Sequence, residues 1–192
     1  MVGYNAIEDP LCYPGTQVLI NKADIRDQAE LDEFEQLMFD SRAEELLPAG
    51  TLDFDHYCAL HHHFFQDVYD WAGQIRTIRT GKGNNWFCYP EHIEAQSEQL
   101  FDQLAERGFL TAAPDADAFA AGAAWFLGEL NAIHPFREGN GRTQLVFLTL
   151  LTRNAGYRLN ERKLRPEPFL AAMITSFSGD TGPLAAEIRR TL

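Results

Sequence analysis

The chain has 192 residues, with 16 Lys and Arg against 28 Asp and Glu, so its formal net charge is −12 at pH 7. This length is sufficient for one domain with a sizeable core, and the 45% share of hydrophobic residues excludes wholesale disorder. The acidity argues against sequence-independent binding to nucleic acid or to anionic membranes, because both depend on Lys and Arg side chains.

The beginning of the chain and its cysteines point to a cytoplasmic protein. The start carries acidic residues and prolines instead of a basic segment followed by an apolar run, so we expect no secretion signal. The longest apolar stretch, around residues 145–151, is much shorter than a membrane span. Cys12, Cys58 and Cys88 are widely spaced and odd in number, which favours a reducing compartment over a disulfide framework or a zinc site.

The N-terminal part is predicted to contain an irregular arm and two helices. Residues 1–20 form the arm, because prolines and a glycine interrupt any regular pattern there. Apolar residues recur at helical spacing over residues 29–45 and again over about 54–70. Asp53 precedes the second of these segments and is a candidate N-cap.

The segment of about residues 74–89 is predicted to form a β-hairpin, or extended flap. Residues 74–80 (QIRTIRT) alternate residue by residue and are rich in Ile and Thr, which favours a strand. Residues 81–85 (GKGNN) are typical of a turn, and residues 86–89 are predicted to return as a second short strand.

The rest of the chain is predicted to be helical, so the fold class is all-α with one small β insertion. Predicted helices cover residues 92–107, 116–133 and 141–155, and a last helical stretch over 166–192 is broken near Gly179. The second and third of these helices are apolar on most sides, which predicts that they form the centre of the core. A tight loop joins these two helices.

That loop and the start of the next helix, residues 134–142 (HPFREGNGR), combine residue types that handle phosphate. Gly139 and Gly141 carry no side chains, so a ligand is able to approach the backbone N–H groups closely. The N-terminus of the following helix adds its own N–H groups and the positive end of its dipole. Together these features predict an anion-binding nest suited to phosphate.

Three polar side chains of the same segment complete the pattern. Arg142 offers a fork of donors to phosphate oxygens, and Glu138 is a hard oxygen ligand suited to Mg²⁺. Histidine titrates near neutral pH, so His134 is a candidate acceptor for the proton of an attacking hydroxyl group. An anion nest, a carboxylate for a metal and a base indicate phosphoryl or nucleotidyl transfer.

The same nine residues resemble the motif of the Fic family (filamentation induced by cyclic AMP), HxFx(D/E)GNGRxxR. The resemblance extends to residues 65–77 (FQDVYDWAGQIRT), to the flap at 81–87, and to YPGTQVLINKADIRD and GDTGPL near the two ends. It implies an all-helical Fic fold in which the flap covers the motif loop. The chain is therefore predicted to be one Fic domain, with arm and first helix at 1–50, core at 51–165 and a C-terminal helical segment at 166–192.

The resemblance also implies the activity of a protein adenylyltransferase. Such an enzyme transfers AMP from ATP to a Ser, Thr or Tyr hydroxyl of another protein and releases pyrophosphate. By this resemblance, His134 is the base that deprotonates the target hydroxyl. Glu138 holds Mg²⁺ on the α- and β-phosphates, and Arg142 engages the distal phosphates.

The remaining site residues follow from the same resemblance. Gly139, Asn140 and Gly141 form the anion hole, and Phe136 is the buried anchor of this nucleotide-binding loop. The flap aligns a segment of the target protein by strand-like backbone pairing. Lys82, on the flap, contacts either the target or the nucleotide.

Two differences from the family pattern concern phosphate binding and regulation. The second arginine of the motif is Leu145 here, which predicts the loss of a γ-phosphate contact. The family's inhibitory (S/T)xxxE(G/N)N helix is not found, since residues 41–45 (SRAEE) come nearest and two leucines follow them. We therefore expect a toxin-like enzyme with a separate antitoxin, or one regulated otherwise. The resemblance suggests type II topoisomerase ATPase subunits or small GTPases as targets, without selecting between them.

Two other functions remain as alternatives. Related folds transfer phosphate or phosphocholine to proteins, although the Gly-Asn-Gly-Arg form favours AMP over the Asn-Lys ending of the phosphate-transferring Doc relatives. The other alternative is a non-catalytic module that binds a nucleotide or a partner. Leu145 favours this alternative, whereas the presence of His134, Glu138 and Arg142 argues against it.

Several further side chains have both a structural and a functional interpretation. His61–His63, with His56 nearby, suggest a metal site, but successive helical residues point about 100° apart, which favours packed or solvent-facing histidines. Trp71 is expected in the core, whereas core packing and target contact are equally expected for Trp86. Asn131 either caps a helix end or contacts the flap or nucleotide.

Overall fold

Helices make up most of the described structure, which comprises residues 9–82 and 85–192 of a computed structural model. Within these residues the seven α-helices are α1 (Gln28–Ala43), α2 (Phe54–Phe65), α3 (Ile93–Glu106), α4 (Ala116–Ile133), α5 (Asn140–Asn154), α6 (Pro166–Ser176) and α7 (Gly182–Thr191). The all-α fold class is therefore confirmed. The first eight residues of the predicted arm, and residues 83 and 84 of the predicted turn, lie outside the described residues.

Three of the seven described α-helices begin at an aspartate that caps the first turn and is recognisable in the sequence. The Asp53 side chain accepts a hydrogen bond from the His56 N–H at 2.7 Å, which confirms Asp53 as the N-cap of α2. Asp27 and Asp115 cap α1 and α4 in the same way. Helix α4 has the bounds predicted for it, and α1, α3 and α5 lie within two residues of their predicted ends.

The prediction that α2 continues to about residue 70 is wrong, because the helix ends at Phe65. The Phe65 carbonyl accepts hydrogen bonds from the N–H groups of Val68 at 3.0 Å and Tyr69 at 2.9 Å, so the chain turns here. The Val68 carbonyl then accepts the Lys22 N–H of the N-terminal arm at 2.9 Å. Val68 and Tyr69 are buried by this turn, which explains why their apolar spacing imitates a continuing helix.

The predicted strand over residues 74–80 is also wrong. This segment is held by hydrogen bonds of Arg76 across the motif loop instead of by a neighbouring strand. The Arg76 N–H donates to the Pro135 carbonyl at 2.9 Å, and its buried guanidinium donates to the carbonyls of His134 at 2.8 Å and Cys88 at 2.7 Å. These hydrogen bonds, and not strand pairing, therefore hold the segment.

The observed hairpin is short and lies where the sequence predicts a turn. Strands β1 (Gly81–Lys82) and β2 (Asn85–Trp86) pair antiparallel, with Gly81 opposite Trp86 and Lys82 opposite Asn85. Beyond β2 the Phe87 N–H donates to the Thr80 carbonyl at 3.1 Å, which extends the hairpin toward the loop after α4.

Helix α4 is the centre of the fold and packs against α3, α5, α6 and α7. Buried aromatic rings from four helices meet beside it. Phe126 of α4 and Phe147 of α5 stack with ring centroids 5.4 Å apart, and Phe101 of α3 contacts both at 5.1 and 5.3 Å. Tyr57 of α2 completes the cluster, 5.7 Å from Phe147. Both α4 and α5 therefore contribute to the core, which fixes the loop between them, although α4 packs most extensively against α7.

A second apolar cluster joins the N-terminal arm to α1 and α2. It includes Tyr13, Leu31, Phe64, Phe65 and Val68. Because Phe65 also contacts the loop between α4 and α5, this cluster holds α1 beside that loop. Over the described part of the chain, no helix is both long enough and apolar enough to cross a membrane.

We expect Phe147→Ala to lower the free energy of unfolding by about 3–5 kcal/mol, because it leaves a cavity in the aromatic cluster. Urea denaturation followed by circular dichroism measures this change. Leu37→Ala is the control, since the Leu37 side chain on α1 is 62% exposed and its loss should change stability by less than about 0.5 kcal/mol. Equal effects of the two substitutions would contradict the assigned core.

Candidate active site

The loop between α4 and α5 is closed by the side chain of Asn140. Its Oδ1 accepts the Phe136 N–H at 3.0 Å, and its Nδ2 donates to the Phe136 carbonyl at 2.8 Å. Asn140 is buried, so water does not compete for these two bonds. The Asn140 side chain therefore holds the loop together, and the backbone N–H of Asn140 remains the group that can serve the predicted anion hole.

Phe136 and Gly139 fit this loop against α2. The fully buried ring of Phe136 stacks between His61, 3.8 Å away, and Tyr57, 5.4 Å away, as expected of an anchor. Gly139 has φ = 80°, and a Cβ atom there would lie 2.4 Å from the Phe65 ring. Only glycine satisfies both the left-handed backbone and the close approach.

His61 supports the loop as a neutral ring. Its Nδ1 accepts the Gly73 N–H at 2.8 Å, so the ring proton resides on Nε2, which donates to the Glu138 carbonyl at 3.0 Å. Burial lowers the pKa of His61 to about 3. The ring nitrogens of the neighbouring His56, His62 and His63 likewise contact backbone carbonyl oxygens, at 2.9 to 3.0 Å.

His134 caps α4 in the left-handed conformation, with φ = 52° and ψ = 67°. The ring of Phe87, from the flap, stacks on the imidazole with centroids 3.7 Å apart and an angle of 4° between the planes. Burial lowers the pKa of His134 to about 3, and the positive charges of Arg76, Lys82 and Arg137 act in the same direction. At neutral pH His134 is therefore uncharged and able to accept a proton.

The start of α5 presents backbone N–H donors beside the loop between α4 and α5. The first helical hydrogen bond runs from the Thr143 N–H to the Gly139 carbonyl at 3.0 Å, so the N–H groups of residues 140–142 precede the ladder. Gly141 is exposed, and a Cβ there would meet nothing within 4 Å. These donors, with the positive end of the helix dipole, favour an anion in the open space.

Glu138 and Arg142 flank these backbone donors. Glu138 Oε1 accepts the Gly139 N–H at 3.0 Å and lies 3.9 Å from Nη2 of Arg142. Burial and the nearby Glu35 carboxylate raise the pKa of Glu138. The Arg142 Cζ atom lies 4.7 Å from the centroid of the Phe65 ring, so the guanidinium packs against this aromatic ring.

Glu35 of α1 is a site residue that the sequence analysis missed. Its Oε1 accepts a hydrogen bond from Nη2 of Arg142, and its Oε2 accepts the Tyr69 hydroxyl at 2.5 Å. Helix α1 is acidic throughout, so no pattern separates this carboxylate from its exposed neighbours. The one available signal is that Glu35 follows the buried Leu31 by four residues and so lies on the same helix face.

Two structural arginines next to the site were also missed. Arg76 ties the base of the flap to the loop, as described above. Arg137, within the motif, is buried, and its Nε contacts Oδ2 of Asp9 at 2.5 Å. Arginines inside buried segments are the signal, because such side chains need a carboxylate or carbonyl partner.

The other candidate residues divide between the flap and the core. Lys82 is exposed on β1, and Trp86 is 45% exposed on β2, so solvent reaches both side chains of the flap. Trp71 stacks on Tyr69 with centroids 4.3 Å apart, which favours the packing interpretation. Asn131 donates from Nδ2 to the Met173 carbonyl at 3.1 Å and so joins α4 to α6.

This loop, flap and helix pair match a known family. The model of the Fic/DOC family matches residues 51–152, which is more than half of the chain and includes the whole motif loop. The chain belongs to the Fic/DOC family. The resemblance that the motif indicates is thereby confirmed.

Curated proteins and solved structures agree with this assignment. The probable protein adenylyltransferase y4lH of Sinorhizobium fredii is 71% identical over the full length of both chains. Protein adenylyltransferase VbhT of Bartonella schoenbuchensis is 38% identical, over 98% of this chain and 40% of that Fic protein. The crystal structure of BepC from Bartonella tribocorum with bound AMPPNP is 24% identical, with a TM-score of 0.84 over 94% of this chain and 95% of the other.

We expect the Fic domain to lose stability as the pH falls below about 6.5. In the unfolded chain a histidine binds a proton near pH 6.5, whereas His61 and His134 in the folded protein stay neutral down to about pH 3. Each histidine then lowers the free energy of unfolding by up to about 1.4 kcal/mol per pH unit in this window. Urea denaturation between pH 7 and 5 measures the slope. The slope should be smaller in His61→Gln, and an unchanged slope would contradict the buried neutral state.

Proposed function

We propose that this Fic protein is a protein adenylyltransferase, which transfers AMP from ATP to a Ser, Thr or Tyr hydroxyl of a target protein. The observation that carries the proposal is the meeting of His134, the N–H groups at the start of α5, and Arg142 on one rigid loop. The 71% identical relative carries this activity in its name, and BepC, of the same fold, binds the ATP analogue AMPPNP.

In this mechanism the backbone N–H groups at the start of α5, residues 140–142, and the guanidinium of Arg142 bind the phosphates. The target hydroxyl oxygen attacks the α-phosphorus, the bond between the α-phosphorus and the bridging oxygen breaks, and pyrophosphate leaves. The hydroxyl proton passes to a ring nitrogen of His134. The pKa of His134 is low in the free protein, and the negative phosphates raise it as they bind, which makes the ring a stronger base.

Phe87 and the hairpin orient the imidazole and the target hydroxyl for this attack. The nearly parallel stacking of Phe87 on His134 fixes the plane of the imidazole before the substrates arrive. We assign to β1 and β2 the backbone pairing with the target segment, and to Lys82 a contact with the target or the nucleotide. An extended target strand placed there lies beside the imidazole that accepts its proton.

Glu138 fits the role of a Mg²⁺ ligand. One of its carboxylate oxygens is bonded to the Gly139 N–H, and its side chain is 32% exposed, so the other oxygen is accessible to a cation. Mg²⁺ is commonly held by one or two protein carboxylates together with phosphates and water, so a single carboxylate suffices. Bound there with ATP, the ion would neutralise charge on the leaving pyrophosphate.

The regulation and the target follow from the sequence resemblance and are part of the proposal. We propose a separate antitoxin that carries the inhibitory glutamate helix, because the chain has no segment matching that helix. The proposed targets are the ATPase subunits of type II topoisomerases or small GTPases. The use of ATP and three free cysteines support action in the cytoplasm.

The decisive experiment incubates the purified protein with cell lysate, Mg²⁺ and ATP labelled at either the α- or the γ-phosphate. We expect a target band labelled from the α-phosphate only. Replacing the base in His134→Ala should reduce the label by at least about 100-fold. His92→Ala, which removes an exposed histidine before α3, is the matched control and should label like the wild type.

The other outcomes of this experiment support one of the alternative functions or exclude His134 as the base. Label from the γ-phosphate identifies a phosphotransferase. Absence of label from both positions, with ATP still bound, identifies a nucleotide-binding module without turnover. Equal labelling by the wild type and His134→Ala excludes His134 as the base.

The leucine at the second arginine position of the motif predicts weak discrimination between ATP and ADP. Leu145 is half-buried against the apolar core and offers no charge to a γ-phosphate. We expect the wild type to bind the two nucleotides with similar dissociation constants, measured by isothermal titration calorimetry. Leu145→Arg should favour ATP by about tenfold, the effect of one charge-assisted hydrogen bond.

Thr149→Arg is the control for this change, because it adds the same charge one helical turn farther from the loop. The control should leave the ratio of the two dissociation constants unchanged. A wild type that already prefers ATP by tenfold or more would show that another residue contacts the γ-phosphate.

A further inference from the structure

A buried carboxylate from outside the motif loop contacts the phosphate-binding arginine. Glu35 lies on α1, 107 residues before Arg142, and its side chain is 9% exposed. Both of its oxygens are engaged, Oε1 by Arg142 and Oε2 by the Tyr69 hydroxyl. A carboxylate held at both oxygens in a buried position has a fixed orientation, so it also fixes the group it binds.

The contact with Glu35 leaves most of the Arg142 guanidinium available to bind a phosphate. The Arg142 contacts with carboxylates are made by Nη2, and within residues 9–82 and 85–192 Nε and Nη1 donate no hydrogen bond. Phe65 supports one face of the guanidinium, at 4.7 Å from Cζ. Glu35 fixes the position of Nη2, and Phe65 fixes the plane of the guanidinium. Nε and Nη1 are thereby left for a phosphate.

Without Glu35, Arg142 has another carboxylate within reach. Nη2 already lies 3.9 Å from Oε1 of Glu138, which is four residues earlier in the chain. Loss of the Glu35 contact therefore favours a closer Arg142–Glu138 pair. That pair would occupy both the phosphate-binding arginine and the carboxylate assigned to Mg²⁺.

We propose that Glu35 is a positioning residue that holds Arg142 toward the phosphates and keeps it away from Glu138. This inference rests on the proposed function, because it concerns the binding of ATP and Mg²⁺ at the same site. Glu35 touches neither substrate and acts through Arg142. Tyr69 acts one step farther away, by fixing the second carboxylate oxygen of Glu35.

The test measures how much Mg²⁺ is needed for half-maximal binding of a non-hydrolysable ATP analogue to the full-length chain. In Glu35→Gln this Mg²⁺ concentration should rise by about tenfold, the factor that corresponds to ~1.4 kcal/mol. Adding Arg142→Ala to Glu35→Gln removes the competing guanidinium and should return the Mg²⁺ requirement to that of Arg142→Ala alone. A merely structural role of Glu35 gives no such rescue.

Two further variants separate this effect from a general loss of stability. Tyr69→Phe keeps the aromatic ring and frees Oε2 of Glu35, so it should raise the Mg²⁺ requirement in the same direction but by a smaller factor. Glu187→Gln removes another buried carboxylate, which pairs with Arg165 and Arg190 near the C-terminus. This control should leave the Mg²⁺ requirement unchanged.

Three results would overturn the inference. Tighter analogue binding by Glu35→Gln would show that the carboxylate opposes the phosphates instead of positioning Arg142. An unchanged Mg²⁺ requirement in both Glu35→Gln and Tyr69→Phe would show that the contact has no role in binding. Absence of Mg²⁺-dependent binding by the wild type would overturn the proposed function itself and the inference with it, and so differs from the first two results.

Discussion

The site depends on two hydrogen bonds between the Asn140 side chain and the backbone of Phe136. They close a loop of a few residues between two buried helices. This closure places His134, the proposed base, at the end of α4 and the backbone donors at the start of α5 on the same side of the loop. The Phe136 ring and the Gly139 backbone then fix the loop against α2, where any added side-chain atom at residue 139 would collide with Phe65. The loop is therefore set before any substrate binds.

The charges of the site are arranged differently from those of the protein as a whole. The chain carries a net charge of −12, yet burial, together with three nearby positive side chains, lowers the pKa of His134 and keeps it neutral. On the other side of the loop, Glu35 and Glu138 flank the single guanidinium of Arg142. One side therefore fits the proposed proton acceptor, and the other fits the proposed binding of phosphates with a cation. This local separation of charge suits a reaction that removes a proton and releases pyrophosphate.

The helices were predictable because the periodicity and the capping residues agree with each other. Asp53 and the apolar spacing after it locate the start of α2. The end of α2 was not predictable, since Val68 and Tyr69 continue the apolar spacing but are buried by a turn against the arm. The prediction of a strand over QIRTIRT was wrong for a related reason. Arg76 of this segment is buried and donates to carbonyl groups of the motif loop and the flap, contacts that no residue pattern reveals.

The sequence by itself determined the family, the motif and the residue types of the proposed phosphate site, because these are consecutive in the chain and local geometry brings them together. Residues 134–142 contain the histidine, the carboxylate, the glycines and the arginine of the motif in one turn and one helix start. Only the tertiary structure decided which distant groups control them. Glu35 beside Arg142, His61 beneath Glu138 and Phe87 on His134 are contacts between elements far apart in sequence. No periodicity marks such contacts, because they depend on how the helices and the flap pack together.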